Sequence, residues 1–212
     1  MFDLVRSLGA SRGELEVNAL TVNDFRAGLD KFYWNPEVEW VVRDGIALEL
    51  ELAMDRGRVE STKLMTQLTF GTPLPGRYIH GAQIIGERSG IDEGYDLAVV
   101  YVGAHRFSER WSLSIIQGAK YGAGIEDRAR EYWSWLGNAT LFAETRRATW
   151  GLEVNLESPR SEAPSVRITP QVHLARGNWG LQLGAGVAAS AGTQQSFAAL
   201  RLIRTLSGGP HD

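Results

Sequence analysis

The chain has 212 residues, a formal net charge of -3 at pH 7 and no cysteine. The absence of cysteine excludes a disulfide framework and thiolate chemistry. The 22 lysines and arginines are scattered along the sequence and form no basic stripe, so we expect no nucleic-acid partner. No run of about 18 apolar residues occurs, which excludes an α-helical membrane protein.

Alternation of apolar and polar residues with a period of two begins in the range 15–19 and becomes clear in the range 32–42. In the second range the apolar side chains, among them Trp34, share one face. Glu37 and Glu39 lie on the opposite face. Successive side chains of a strand point to opposite faces, so the pattern predicts two strands.

The range 46–54 is the clearest strand of the chain, and Arg43-Asp44-Gly45 before it predicts a hairpin turn. Its even positions are apolar, whereas Glu49 and Glu51 point the other way. No amphipathic helix gives this alternation.

The next three segments, 63–70, 78–86 and 95–103, also predict strands. The last two are apolar on both faces, so their parity is less clear. The polar residues Gln83 and Asp96 indicate which positions of these two segments face inward.

In the second half of the chain the alternation is strong again. It predicts strands over the ranges 111–115, 133–141, 150–157, 166–174, 179–187 and 196–206. Glu153, Arg167, His173 and Arg201 lie on the polar face. Arg204 lies on the apolar face close to a strand end, where its long side chain is expected to reach water.

About twelve strands of this kind predict an all-β fold, a transmembrane antiparallel up-and-down β-barrel. We expect an N-terminal extension over 1–12, a single barrel domain over 13–206 and a C-terminal tail over 207–212. An even number of strands places both termini on one side.

The connections are expected to alternate between short and long, as in bacterial outer-membrane barrels. Tight turns are predicted near Arg43, Pro75, Ser108, Arg146 and Gly177, and longer loops around Arg26, Arg56, Gly90, Asp127, Glu162 and Gly192.

The seven tryptophans lie near strand ends and share the parity of the apolar residues. Tryptophan is enriched where hydrocarbon meets water, because its ring is apolar and its N–H needs a polar partner. We therefore predict two membrane-interface belts, with the lipid bilayer as partner. One comprises Trp40, Trp111, Trp150 and Trp179 on the short-turn side, and the other Trp34, Trp133 and Trp135 on the long-loop side.

The polar parity predicts the residues that line the lumen. They are Glu37, Glu39, Glu49, Glu51, Glu153, Arg167, His173 and Arg201. Eight strands leave room only for side chains and about sixteen leave an aqueous channel, so about twelve predict a narrow or blocked pore. Arg167 and Arg201 are the expected partners of the acidic residues, because confined carboxylates need compensation.

Catalysis is not expected. Glu49 and Glu51 are about 7 Å apart along one strand, but no second motif accompanies them. His173 lacks an identifiable serine and orienting group, so a barrel hydrolase is not predicted. His80, His105 and His211 do not have metal-ligand spacing. We predict neither an enzyme nor a cofactor nor a metal site, and we interpret the glycines around Gly184-Ala185-Gly186 as residues that make room or let a strand bend.

Several short stretches carry a family resemblance. They are Pro170-Gln171-Val172-His173, the ranges 178–186 and 199–203, and the run from Asp44 to Leu52. In these the chain resembles uncharacterised proteobacterial outer-membrane β-barrel proteins of the phenol-degradation-pathway transporter type. The resemblance implies an outer-membrane barrel that passes small, including aromatic, solutes.

The favoured hypothesis is a bacterial outer-membrane barrel that acts as a passive channel or transporter for small solutes through a narrow charged lumen. One alternative is a structural or adhesive barrel with a closed lumen, and another is a soluble barrel that binds an apolar ligand inside. No secretory signal is visible at Met1 to Arg6, so the barrel hypothesis expects that the signal was removed or that the chain is a fragment.

Overall fold

The computed structural model describes residues 8–25, 33–55, 57–90, 94–123, 132–160 and 162–208. In these ranges the alternating segments form twelve strands: β1 Leu15–Asp24, β2 Tyr33–Arg43, β3 Ile46–Asp55, β4 Arg58–Leu74, β5 Tyr78–Ser89, β6 Tyr95–Arg106, β7 Trp111–Ala123, β8 Tyr132–Glu144, β9 Thr149–Pro159, β10 Ser165–Arg176, β11 Trp179–Ser190 and β12 Thr193–Ser207. Each strand pairs with its neighbours in chain order, and β1 pairs antiparallel with β12, so the sheet closes into a barrel. The predicted fold is confirmed. The described part of the chain contains no helix that is both long enough and apolar enough to cross a membrane.

The faces of the barrel are inverted relative to a soluble protein. In β3, Glu49 and Glu51 are buried inside, while Leu48 and Leu50 are 40% and 42% exposed outside. The other strands repeat this arrangement, including β5, where Gln83 faces inward as predicted. Since the large apolar side chains cover the outer surface, the alternative of a soluble barrel with an apolar interior is wrong.

Two prolines lie inside strands, and each lies where the pairing with one of its two neighbouring strands is interrupted. The β2–β3 register joins Trp34 to Met54 and then Glu37 to Glu51, which leaves Pro36 between them. Pro170 of β10 lies in a similar gap facing β11. Proline has no N–H to donate, so these gaps are where each strand tolerates it.

The predicted turn at Asp44 and Gly45 is confirmed, with Gly45 in the left-handed region at a φ of 77°. The other short connections also lie where predicted, on the side of the barrel that holds the ends of β1 and β12 nearest the termini. We call this the terminal side. On the opposite side, β5 and β6 are separated by a longer connection at Gly90, and β9 and β10 by one that includes Glu162.

One of the predicted long loops is wrong, because β11 and β12 are joined by Ala191 and Gly192 alone. The predicted loops around Arg26, Arg56 and Asp127 lie outside the described residues.

The tight turn between β11 and β12 contains backbone strain. Ala191 has a φ of 47° and Gly192 a φ of 77°. Positive φ at both central positions matches the twist of a β-hairpin, but it places the Cβ of alanine close to a carbonyl oxygen.

Replacing Ala191 by asparagine is therefore expected to stabilise the barrel by about 1 kcal/mol, because asparagine tolerates this conformation. Urea unfolding in lipid vesicles, followed by tryptophan fluorescence, measures the change. Gly192→Ala is the opposite control and is expected to destabilise. Equal stability of both variants and the parent would contradict the strain argument.

Candidate functional site: the barrel lumen

A cluster of acidic residues covers one side of the lumen, on the inward faces of β12, β1, β2 and β3. We call it the acidic wall, and it consists of Glu16, Asn18, Glu37, Glu39, Glu49, Glu51 and Arg201. The sheet register places Glu39 directly opposite both Glu16 and Glu49, and Glu37 opposite Glu51. Like charges directly opposite one another destabilise a sheet, so this wall needs compensating cations.

Arg201 supplies one of them. Its side chain extends from β12 past β1, and Nη2 donates to Oε1 of Glu39 at 2.8 Å and to Oε2 of Glu37. Asn18 Nδ2 donates to the same two oxygens, at 2.5 Å and 3.3 Å respectively. The predicted pairing of Arg201 with the inner carboxylates is confirmed.

A second cation was not predicted as a site residue. Lys63 of β4 lies opposite Glu51 in the register and forms an ion pair with it. Asn35 Nδ2 donates to the other carboxylate oxygen of Glu51 at 2.6 Å. The sequence could have indicated Lys63, because it shares the inward parity of Gln67 on β4, the strand next to the one that carries Glu49 and Glu51.

Glu49 differs from its neighbours. It is 5% exposed, yet it accepts no hydrogen bond and forms no ion pair within the described ranges. The acidic wall therefore holds one buried carboxylate that neither Arg201 nor Lys63 contacts.

The opposite side of the lumen is a network of neutral donors around one carboxylate, on β8, β9 and β10. We call it the amide wall, and it consists of Asn138, Glu153, Asn155, Gln171 and His173. Asn155 Nδ2 donates to Glu153 Oε1 at 2.6 Å, and Gln171 Nε2 donates to Glu153 Oε2 at 2.9 Å. Glu153 is fully buried, so these amides replace its hydration.

His173 belongs to this network. Its Nε2 lies 2.9 Å from Oε1 of Gln171, and its ring meets the Phe142 ring edge-on at 5.7 Å. In the described contacts its polar partner is an amide, whereas a hydrolase dyad needs a hydroxyl nucleophile. The geometry is that of a lumen histidine held by its wall.

Arg167 departs from its predicted role. It faces the lumen from β10, but its guanidinium stacks over the ring of Phe197 at 4.9 Å. A cation over an aromatic face is a favourable contact. Arg167 thus stacks on Phe197 instead of making the predicted pairing to the acidic wall.

The chain before β1 enters the terminal end of the barrel. Ala10 packs against the inward cluster of Val41, Ala47 and Met65. The backbone N–H of Gly9 donates to Oγ1 of Thr69, also inward, at 3.1 Å. Residues 9 and 10 therefore occupy part of the opening, a placement the sequence did not predict.

Two cavities lie along the lumen. One of about 170 Å³ lies beside the amide wall, lined in part by Gln83, Asn138 and Arg167. Another of about 380 Å³ opens at the terminal side, beside Glu16 and His173. Each side-chain bond described above joins strands that are no more than two positions apart in the sheet.

The tryptophans lie on the outer surface. Six of them are at least 42% exposed, and Trp34 is half-buried. Their strand positions form the two predicted groups, one at each end of the barrel. Arg204, predicted to reach water from the apolar face, stacks its guanidinium over the Trp179 ring at 4.7 Å. Their role at a membrane interface remains a prediction.

No protein-family model matches this sequence, and no curated protein matches it. Among solved structures, the chain is similar to the KdgM porin, described in complex with disordered oligogalacturonate, with a TM-score of 0.68 and 10% identity over 91% of this chain and 99% of that one. It is similar to an outer membrane channel from Pseudomonas putida F1, with a TM-score of 0.69 and 11% identity over 97% and 100% of the two chains. The NanC porin follows, with a TM-score of 0.66 and 7% identity over 91% and 100%. At such low identity these likenesses establish a fold shared with outer-membrane porins.

Proposed function

We propose that this chain is a bacterial outer-membrane barrel that acts as a passive channel for small solutes through a narrow charged lumen. The observation that carries the proposal is the inverted barrel, with apolar side chains outside and a charged, hydrogen-bonded interior. A hydrocarbon surround matches such an outer face, and closure leaves no unpaired strand edge in it. The porin-like fold supports the same location.

The lumen favours small solutes that are neutral or cationic. The acidic wall carries more carboxylates than cations, while the amide wall is neutral apart from Glu153. A confined acidic surface raises the local concentration of cations. The resemblance to the phenol-degradation-pathway transporter type adds small aromatic molecules as a candidate solute class, and neutral phenols fit this charge distribution.

The hydrogen-bond partners of the titratable lumen residues also favour passive transport over catalysis. His173 is bonded to an amide, and Glu153 is enclosed by amides. Neither lies in a described pair of nucleophile and base, the arrangement that covalent catalysis requires.

A second candidate is a structural or adhesive barrel with a closed lumen. It is favoured by one observation, the packing of Ala10 on the cluster of Val41, Ala47 and Met65 inside the terminal opening. We propose that Gly9 and Ala10, from the expected extension over 1–12, narrow the barrel domain over 13–206 from within. The expected tail over 207–212 is corrected at one residue, because β12 includes Ser207.

Conductance in planar lipid bilayers tests both candidates. For a channel, we expect small discrete steps and, in a KCl gradient, a reversal potential of the sign that indicates cation selectivity. A variant that lacks residues 1–12 is expected to give larger steps, because the packing at Ala10 is removed.

The outcomes separate the candidates. Steps only in the shortened variant indicate a closed native lumen, and flat traces from both proteins contradict the channel. Flotation of the full chain with lipid vesicles serves as the control for insertion. A chain that stays monodisperse and folded without detergent would contradict the membrane location itself.

A further inference from the structure

The acidic wall leaves negative charge uncompensated at one place. Glu37, Glu39 and Glu49 are all buried, and each brings a carboxylate oxygen within 4.8 Å of the others. Among the described residues, Arg201 contacts Glu37 and Glu39, whereas Glu49 has no ion-pair partner. Counted over those residues, one guanidinium against three carboxylates leaves two negative charges, and buried charge without compensation is costly.

Oxygen atoms without donors lie at the same place. Oε2 of Glu39 and Oδ1 of Asn18 are buried and have no hydrogen-bond partner in the part of the chain that the structure describes. Asn18 is neutral and 5% exposed, and its Nδ2 holds it against Glu37 and Glu39. Its free oxygen is therefore an observation separate from the charge count. Buried acceptors of this kind require a donor, a water or a cation.

We propose that Glu37, Glu39 and Glu49 form a binding site for one divalent cation of the Ca²⁺ type. Ca²⁺ binds oxygen ligands at about 2.3–2.6 Å, so two ligands of the same ion lie no more than about 5 Å apart. The three carboxylates meet this limit. They offer only oxygen, the ligand that hard cations prefer.

Arg201 and the ion are compatible at this site. The guanidinium is bonded to Oε1 of Glu39, which leaves Oε2 of the same carboxylate for the ion. Glu49 contributes an unshared carboxylate, and Asn18 adds an amide oxygen at the edge of the cluster. A divalent charge then neutralises what Arg201 leaves uncompensated, and water from the lumen completes the coordination.

The ion would join neighbouring strands of the wall. Glu39 and Glu49 are directly opposite on β2 and β3, so bridging them replaces repulsion by attraction. Binding to the folded state alone stabilises that state. The site requires no conduction and would exist equally in a closed barrel.

Calorimetric titration of the detergent-solubilised full chain with CaCl₂ tests the proposal, together with thermal unfolding in CaCl₂ and in chelator. We expect about one ion per chain, and an unfolding temperature several degrees higher in CaCl₂. Glu49→Gln is expected to abolish both effects. Glu157→Gln is the matched control, since Glu157 faces inward from β9 and pairs with Lys120 at 2.6 Å, and it is expected to keep both.

Glu39→Gln provides the same test where Glu49→Gln does not fold. The proposal is overturned if the parent chain shows neither heat of binding nor a Ca²⁺-dependent shift of its unfolding temperature. That result is expected if a proton on Glu49, and not a cation, neutralises the charge. It is equally overturned if Glu49→Gln responds like the parent. This experiment does not measure conductance, so a negative result for Ca²⁺ binding does not contradict the channel proposal.

Discussion

Arg201→Met is expected to destabilise the barrel by about 3–5 kcal/mol, the cost of leaving a buried partner charge uncompensated. Arg201 is 4% exposed, and its partners Glu37 and Glu39 are 3% and 1% exposed. Removing the guanidinium leaves their carboxylates facing Glu16, Glu49 and Glu51 with little access to water. Urea unfolding in lipid vesicles, in the presence of chelator, measures the loss.

Two further variants identify the cause. Adding Glu37→Gln and Glu39→Gln to Arg201→Met is expected to recover most of the stability, because the repelling charges are gone. Arg167→Met serves as the matched control and is expected to cost only about 1 kcal/mol, since it removes a stacking contact. A loss of stability no larger for Arg201→Met than for this control would contradict the assigned role of Arg201.

Gly186→Ala is expected to destabilise the barrel by about 3 kcal/mol or to prevent its closure. A Cβ at position 186 would lie 2.0 Å from the carbonyl oxygen of Ile168 and 3.1 Å from Cα of Thr169. Both are backbone atoms of β10, so no side chain can rotate away. The close approach lies beside Pro170, where the ladder between β10 and β11 is interrupted.

Gly86→Ala is the control for this substitution. Gly86 also lies within a strand, and a Cβ there would have nothing within 4 Å. Urea unfolding and the mobility of the unheated protein in electrophoresis report the folded barrel. If Gly186→Ala folds as well as Gly86→Ala, the two strands do not approach as closely as described.

The fold was predictable because a barrel in a membrane has two different surroundings, one on each side of a single sheet. A period-two pattern therefore assigns every side chain to lipid or lumen, as Leu48 and Glu49 illustrate. In β5, whose two faces are both rich in apolar residues, the pattern left the parity less clear, and Gln83 only indicated the inner side.

Turn lengths were less predictable. Ala191 and Gly192 form a hairpin without the asparagine or aspartate that marks such turns. There the pairing of the long flanking strands overrides weak local preferences.

The contacts within the lumen were the least predictable part. Parity gives the face of a residue but not its register, and register determines which charges meet. For this reason Arg201 and Arg167 looked equivalent in sequence, although one binds two glutamates and the other stacks on Phe197. Lys63 was not predicted as a partner of Glu51, because that pairing depends on the register between β3 and β4.

The bond from Arg201 to Glu37 and Glu39 also bears on how the molecule is assembled. It joins residues 164 and 162 positions apart in sequence and spans the seam where the last strand meets the first. This bond can form only when β12 and β1 are paired in the native register. It therefore favours the correct closure of the barrel over a shifted one.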